Sequence, residues 1–254
     1  AVGEPIIQVK NLVAKYGDRT ILDDVSFDVE KGEILCVIGG SGSGKTTLFK
    51  HMAGLLKPTS GEVLYEGRNI AEMDEDQIAE VQRGIGIAFQ SSGLINSLSV
   101  GDNVALPIRE YGRIDPDLID SVVRMKLGLV GMGSAESMLP SELSGGMKKR
   151  AGLARAIALD PPIVYFDEPS AGLDPIMAAG LDQLILDLRR LLGITIIIVT
   201  HELDSIRTVA DRILMLDRGK VLFLGTLEQA QNSEIDRVRQ FFSRKADAHI
   251  AQRN

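Results

Sequence analysis

Eight consecutive residues constrain this chain more than any others. Gly39-Gly40-Ser41-Gly42-Ser43-Gly44-Lys45-Thr46 satisfies the pattern G-x-x-x-x-G-K-[ST]. Glycines let a backbone wrap closely around phosphates with successive N–H groups turned inward. The pattern works only as the turn between a buried strand and a helix, and both are legible here. Residues 34–38 read Ile-Leu-Cys-Val-Ile, a continuous apolar run of the kind expected for a strand covered on both faces. A helical pattern follows over 45–56, closed by Pro58. Its N-terminal dipole adds to the anion site. Lys45 is placed to reach the β- and γ-phosphates of a nucleotide, and the Thr46 hydroxyl to hold Mg²⁺, with Thr47 beside it.

The rest of the chain supplies a sheet and an interruption. Runs at 6–9, 20–29 and 33–38 predict a β-rich opening, and 85–89 a further short buried strand. From Ser91 the texture turns helical, with helices predicted over 100–110, 116–127 and 147–159 and no clear strand among them. At Pro161-Pro162 the sheet pattern resumes, with a strand at 163–166, a helix at 176–192 and the most apolar strand at 194–199. Strands alternating with helices on either side of a helical stretch predict an α/β fold with a parallel-sheet core and an inserted α-helical subdomain. Ile235, Val238, Phe241 and Phe242 fall at helical spacing and predict a C-terminal helix docked on its own core, or else on a partner chain. Residues 246–254 read as a loose tail.

Composition removes several alternatives. Lys+Arg 28 against Asp+Glu 35 gives a formal charge of −7, the wrong sign for a dedicated nucleic-acid binder. One cysteine, Cys36, excludes an internal disulfide framework and any multi-cysteine zinc site, and reads as a small buried apolar residue. No apolar stretch is long enough to span a bilayer as a helix, and no signal-peptide pattern opens the sequence. His51 and His249 take no role.

Two further constellations carry chemistry. The strand at 163–166 ends in Asp167 and Glu168. Asp167 is placed to bind Mg²⁺ as the carboxylate partner of Thr46, and Glu168 to polarise an attacking water as general base. Ser144, Gly145 and Gly146 open the helix before Met147-Lys148-Lys149-Arg150, giving a hydroxyl, free N–H groups and a helix dipole. A second phosphate site in a chain that already has one is most economically explained by a nucleotide held on another copy.

The P-loop, the Leu143-Ser144-Gly145-Gly146 signature and the strand end at Asp167-Glu168, in that chain order, resemble the ATP-binding subunits of ABC transporters over residues 5–230. The resemblance implies a P-loop NTPase (RecA-like) core with an N-terminal antiparallel β region, as a single domain over 1–254. In it, 1–90 and 161–230 form the core, 91–160 the helical subdomain and 231–254 the C-terminal helix and tail. It also implies Tyr16 as the aromatic stacked on adenine and Gln90 as a contact to Mg²⁺ and water. Asp174, in the 170–174 loop, would cross a dimer interface, and His201 would contact the γ-phosphate beside Lys45. Two copies would sandwich ATP, each P-loop facing the other chain's Ser144-Gly145-Gly146. A membrane permease would be received near 91–111, placing the chain on the cytoplasmic face of the inner membrane. The stretches 140–150 and 103–110 are similar to cassettes of Mla/Mce-type lipid transporters, which implies phospholipid cargo and an Mce-domain partner. Gly93-Leu94-Ile95 departs from that group's usual Gly-Ala-Leu-Phe. The other readings are a polar-solute (amino-acid) importer and a cell-division-type signalling ATPase.

Overall fold

In the computed structural model, which describes residues 5–112 and 114–243, the chain opens with two long strands, β1 (Pro5–Tyr16) and β2 (Arg19–Glu30). The loop strand β3 (Ile34–Gly39) leads into helix α1 (Lys45–Met52). Strands β4 (Ser60–Tyr65) and β5 (Arg68–Asn69), helix α2 (Glu75–Arg83) and strand β6 (Ile85–Ala88) follow. Then come three helices, α3 (Val100–Tyr111), α4 (Ile119–Leu129) and α5 (Gly145–Ala156), with no strand among the described residues between them. Next are β7 (Ile163–Asp167), α6 (Pro175–Leu192), β8 (Thr195–Val199) and α7 (Leu203–Val209). The hairpin β9 (Arg212–Asp217) and β10 (Lys220–Gly225) precedes two short helices, α8 (Leu227–Gln231) and α9 (Asp236–Ser243).

The strands form two sheets. One is antiparallel, in the order β2-β1-β4-β5; the other runs β10-β9-β3-β8-β7-β6, parallel except for β10. Side chains alternate across a strand, and here the alternation sorts them into two cores. Ile34, Cys36 and Ile38 enter one core with Ile196, Ile198, Val164 and Phe166. Leu35 and Val37 enter the other with Ile197, Val199, Ile163 and Tyr165. The first core meets the helical insert, α6 and α9; the second meets α1 and the antiparallel sheet. Each large aliphatic side chain so buried contributes about 1.5–3 kcal/mol, which is why these strands read as unbroken apolar runs. Burial also pushes the Cys36 thiol far above its usual range, so it stays an inert core residue.

Parallel strands place all their carboxyl ends at one edge. Asp167 pairs with Val199, Val37 with Val199 and Gly39 with Leu216, so the turns after β3, β7 and β8 emerge side by side. Three details differ from the sequence reading. Helix α1 stops at Met52, four residues early, because the N–H groups of Gly54 and Leu55 take the His51 and Lys50 carbonyls. Strand β6 stops at Ala88, and Phe89 is 49% exposed rather than buried. The strands β4, β5, β9 and β10 have short or mixed patterns that did not stand out. Val238 and Phe242 seat α9 on the chain's own first core, while Ile235 stays partly exposed. The tail expected over 246–254, with His249, lies outside the described residues.

Candidate active site

The glycine loop owes its path to two residues without side chains. A β-carbon on Gly39 would meet the Leu216 carbonyl oxygen at 2.5 Å, so the neighbouring strand tolerates only glycine there. Gly44 begins α1 at φ 104°, and a side chain on it would meet Leu22 Cδ2 at 2.6 Å. Ser43 is buried, its N–H on the Gly40 carbonyl and its own carbonyl on the Gly219 N–H. Ser41 and Gly42 form the exposed crest. Lys45 folds back across the loop, with Nζ donating to the carbonyls of Gly39 at 2.7 Å and Gly40 at 3.0 Å. Burial lowers its pKa, opposed by the charges of Glu168 and Asp167. Thr46 is exposed on the first turn; the Thr47 carbonyl takes His51 Nδ1 at 2.8 Å, which accounts for that buried histidine.

The opposite wall comes from the end of β7. Glu168 sits at φ 48°, a left-handed conformation, with its N–H donating to the Val199 carbonyl at 2.8 Å. His201 Nδ1 lies 2.9 Å from Glu168 Oε1; a carboxylate only accepts, so the proton is on Nδ1. Glu168 Oε2 is buried and has no hydrogen-bond partner. Such an oxygen is costly to leave bare in a folded protein. Burial and then the charge of Glu168 raise the Asp167 carboxyl, while Lys149 and Lys45 pull it down. An unpaired buried carboxylate oxygen beside a second carboxylate is a donor set that fits a hard divalent cation and a water. Among the described residues no group of three or more His, Cys, Asp or Glu forms a metal centre by itself.

Gly39, Gly40, Ser41, Lys45, Glu168 and His201 line a single cavity. Arg237, Gln240 and Phe241 of α9 also line it, which sequence reasoning missed. Helical spacing announced α9 but carried no sign of the surface it would meet. Lys149 was missed too: its ammonium donates to the Gln90 and Glu168 carbonyls, and only its place in a basic run was visible beforehand.

The remaining expected residues lie elsewhere. Ser144 caps α5, its hydroxyl accepting from the Met147 N–H at 3.2 Å, and Gly145 and Gly146 face Leu173 and Met177. None of the three lines the P-loop cavity. Asp174 caps α6, accepting from the N–H groups of Ile176 at 2.9 Å and Met177 at 3.0 Å. Tyr16 is half exposed at the end of β1, and Gln90 is exposed after β6. Asn103, which opens the 103–110 stretch, is a fully buried staple whose amide bonds to Ile95, Leu98 and Ser99 backbone.

A glycine loop between a buried strand and a helix, facing paired strand-end carboxylates, defines a P-loop nucleotide hydrolase. The family model described as ABC transporter matches residues 22–171. The chain is 43% identical to the intermembrane phospholipid transport system ATP-binding protein MlaF of Haemophilus influenzae, over 98% of this chain and 94% of that one. It is 41% identical to the probable ribonucleotide transport ATP-binding protein mkl of Mycobacterium leprae, over 93% of this chain and 68% of that one. The dimeric post-hydrolysis structure of the cassette MJ0796 bound to ADP and Pi superposes with a TM-score of 0.77 at 30% identity, covering 87% of this chain and 98% of that one. The chain belongs to the ABC transporter family, as one of its ATP-hydrolysing cassettes. Cassettes of this family dimerise and work with membrane permeases, and no helix among the described residues is long and apolar enough to cross a membrane.

Proposed function

We propose that this chain powers phospholipid transport between membranes, as the cytoplasmic ATPase of a complex with an inner-membrane permease and an Mce-domain lipid-binding protein. The observation that carries the cargo is the 43% identity to a phospholipid-transport cassette across nearly the whole of both chains. The groove beside β6, lined by Phe89, Leu106, Pro107 and Tyr111, supports a permease contact, since three of these are exposed apolar or aromatic residues. We assign 1–90 and 161–230 to the core, 91–160 to the helical subdomain and 231–254 to the C-terminal helix and tail.

The chemistry is mainly positioning and electrostatics. Lys45 exchanges the Gly39 and Gly40 carbonyls for the β- and γ-phosphates, and the loop N–H groups complete the cradle. Thr46, Gln90 and Asp167 would hold Mg²⁺, which when bound neutralises phosphate charge. Glu168 Oε2 takes a proton from water as the water oxygen bonds to the γ-phosphorus and the bond to ADP breaks. His201 fixes Oε1 of the same carboxylate and, lining the cavity with Lys45, would contact the γ-phosphate. Tyr16 offers an exposed ring to adenine. Ser144, Gly145, Gly146 and Asp174 act across the dimer, on the nucleotide of the second copy.

Gentle detergent capture of the chain from its native membranes, with mass spectrometry of co-purifying proteins and lipids, tests the cargo. A permease with an Mce-domain protein and enriched phospholipid is the expected result. A solute-importer permease, a division protein or a ribonucleotide ligand without lipid enrichment would discard it and leave the ATPase standing.

A further inference from the structure

Helix α5 carries a cation that neither binds phosphate in the scheme above nor faces solvent freely. Lys149 lies one turn into the helix that Ser144 caps. Its ammonium donates to the carbonyl of Gln90, after β6, and to that of Glu168, after β7, the latter at 3.2 Å. Those strands are neighbours, Ala88 pairing with Phe166. One side chain therefore holds the first residue of one turn and the general base of the other.

The Glu168 peptide needs such support. At φ 48° it occupies a region that side-chain-bearing residues adopt only when their surroundings enforce it. Its N–H is held by the Val199 carbonyl, and its own carbonyl by the Ala171 N–H and Lys149. Further along α5, Arg155 donates to the carbonyls of Ser92 at 3.0 Å and Gly93 at 2.8 Å, so the segment after Gln90 is fastened to the same helix.

We propose that Lys149 is a positioning residue for ATP hydrolysis, tying the Gln90 and Glu168 turns to the signature helix so that a shift of that helix reaches both turns together. This rests on reading Glu168 and Gln90 as site residues. The arrangement gives a route by which the state of the partner's nucleotide, met by Ser144 at the start of α5, alters the geometry of this chain's own base.

The test compares Lys149→Met, Lys149→Gln and Lys149→Arg in the full chain, with Glu168→Gln as reference. Steady-state kcat and KM for MgATP, fluorescent-nucleotide affinity and hydrogen exchange of the peptides around 88–93 and 166–171 are the readouts. For Lys149→Met we expect kcat to fall roughly tenfold to a hundredfold with ATP affinity changed by no more than about twofold. Both peptides should exchange faster, and Lys149→Arg should recover most of the loss, with Lys149→Gln in between. Exchange needs no turnover, so it reads the tie directly. Unchanged kcat and exchange in Lys149→Met overturn the proposal. So does an equal loss of kcat, affinity and thermal stability in Lys149→Met and Lys149→Arg, which marks plain packing. Wild-type turnover in Glu168→Gln would instead remove the reading of the site, whatever Lys149 does.

Discussion

The phosphate-facing turns and the signature-facing turns of this molecule treat their polar groups in opposite ways. In the first, Lys45 and Glu168 converge on one cavity, and a buried carboxylate oxygen is left without a partner. In the second, Ser144 and Asp174 have polar partners from their own helices, as ordinary N-caps, and the signature glycines lie against Leu173 and Met177. Unsatisfied groups in a fold point to a ligand; satisfied ones hide whatever else they do. On the function proposed above, the first set is half of an active site, and the second acquires a function only when another surface is brought to it.

The largest effect should come from the unsatisfied side. Glu168→Gln removes the proton acceptor while keeping shape and the contact to His201, so turnover should fall by about 10²–10⁴-fold. Nucleotide binding should persist, because Lys45 and the loop are untouched. Phosphate release and a nucleotide titration on the same sample check both halves, and near-normal release would remove Glu168 as base.

The second comparison is between acting within a chain and acting across two. Lys45→Ala and Ser144→Arg should each lower turnover in a homodimer by about 10²-fold. Co-expressed, the two variants form mixed dimers in which one composite site has both an intact Lys45 and an intact Ser144. Partial turnover should return. If none does while mixed dimers are shown to form, the signature works in its own chain and the division drawn above fails.

Gly39 tests how tightly the phosphate side is built. An alanine there drives a β-carbon against the Leu216 carbonyl at 2.5 Å, a backbone atom that cannot swing away. Stability should drop by about 1–3 kcal/mol, read as a lowered thermal midpoint, and nucleotide affinity with it. Unchanged melting and affinity would mean the loop relaxes at no cost.

The uneven legibility of the two sides has the same physical origin. Gly39 through Thr46, Asp167 and Glu168 announce themselves because phosphate chemistry demands particular residue types at fixed positions between strand and helix. The central strands were legible because burial on both faces leaves no polar residue among Ile34 to Ile38 or Ile196 to Val199. Strand β10 was not, since its residues are mostly half-buried and no period stands out. Lys149 was invisible for a different reason: its partners are backbone carbonyls, which any residue supplies, so no pairing could be written from side-chain identities. The approach of Arg237, Gln240 and Phe241 to the cavity is likewise a fact of chain path.

The smallest expected effect concerns a carboxylate whose pKa, like that of Asp167, is raised by burial, but in different surroundings. Asp182, on α6, is buried and accepts from the Ser205 hydroxyl at 2.9 Å, with Ser170 3.3 Å from that same hydroxyl. Burial raises its pKa and the Ser205 bond opposes the rise without cancelling it. A carboxyl raised on folding favours the native state fully only below its unfolded value, near 3.9, and that advantage is lost as pH climbs through the folded value. Ionising this carboxyl as pH rises therefore costs the fold stability. Asp182→Asn keeps an acceptor for Ser205 and removes the charge, so its thermal midpoint should lie above wild type by roughly 2 °C at pH 7. The gap should narrow as pH falls toward 4. A lower midpoint at pH 7 would show that the charged bond to Ser205 outweighs burial, and that this side of the molecule also depends on an ionised carboxylate.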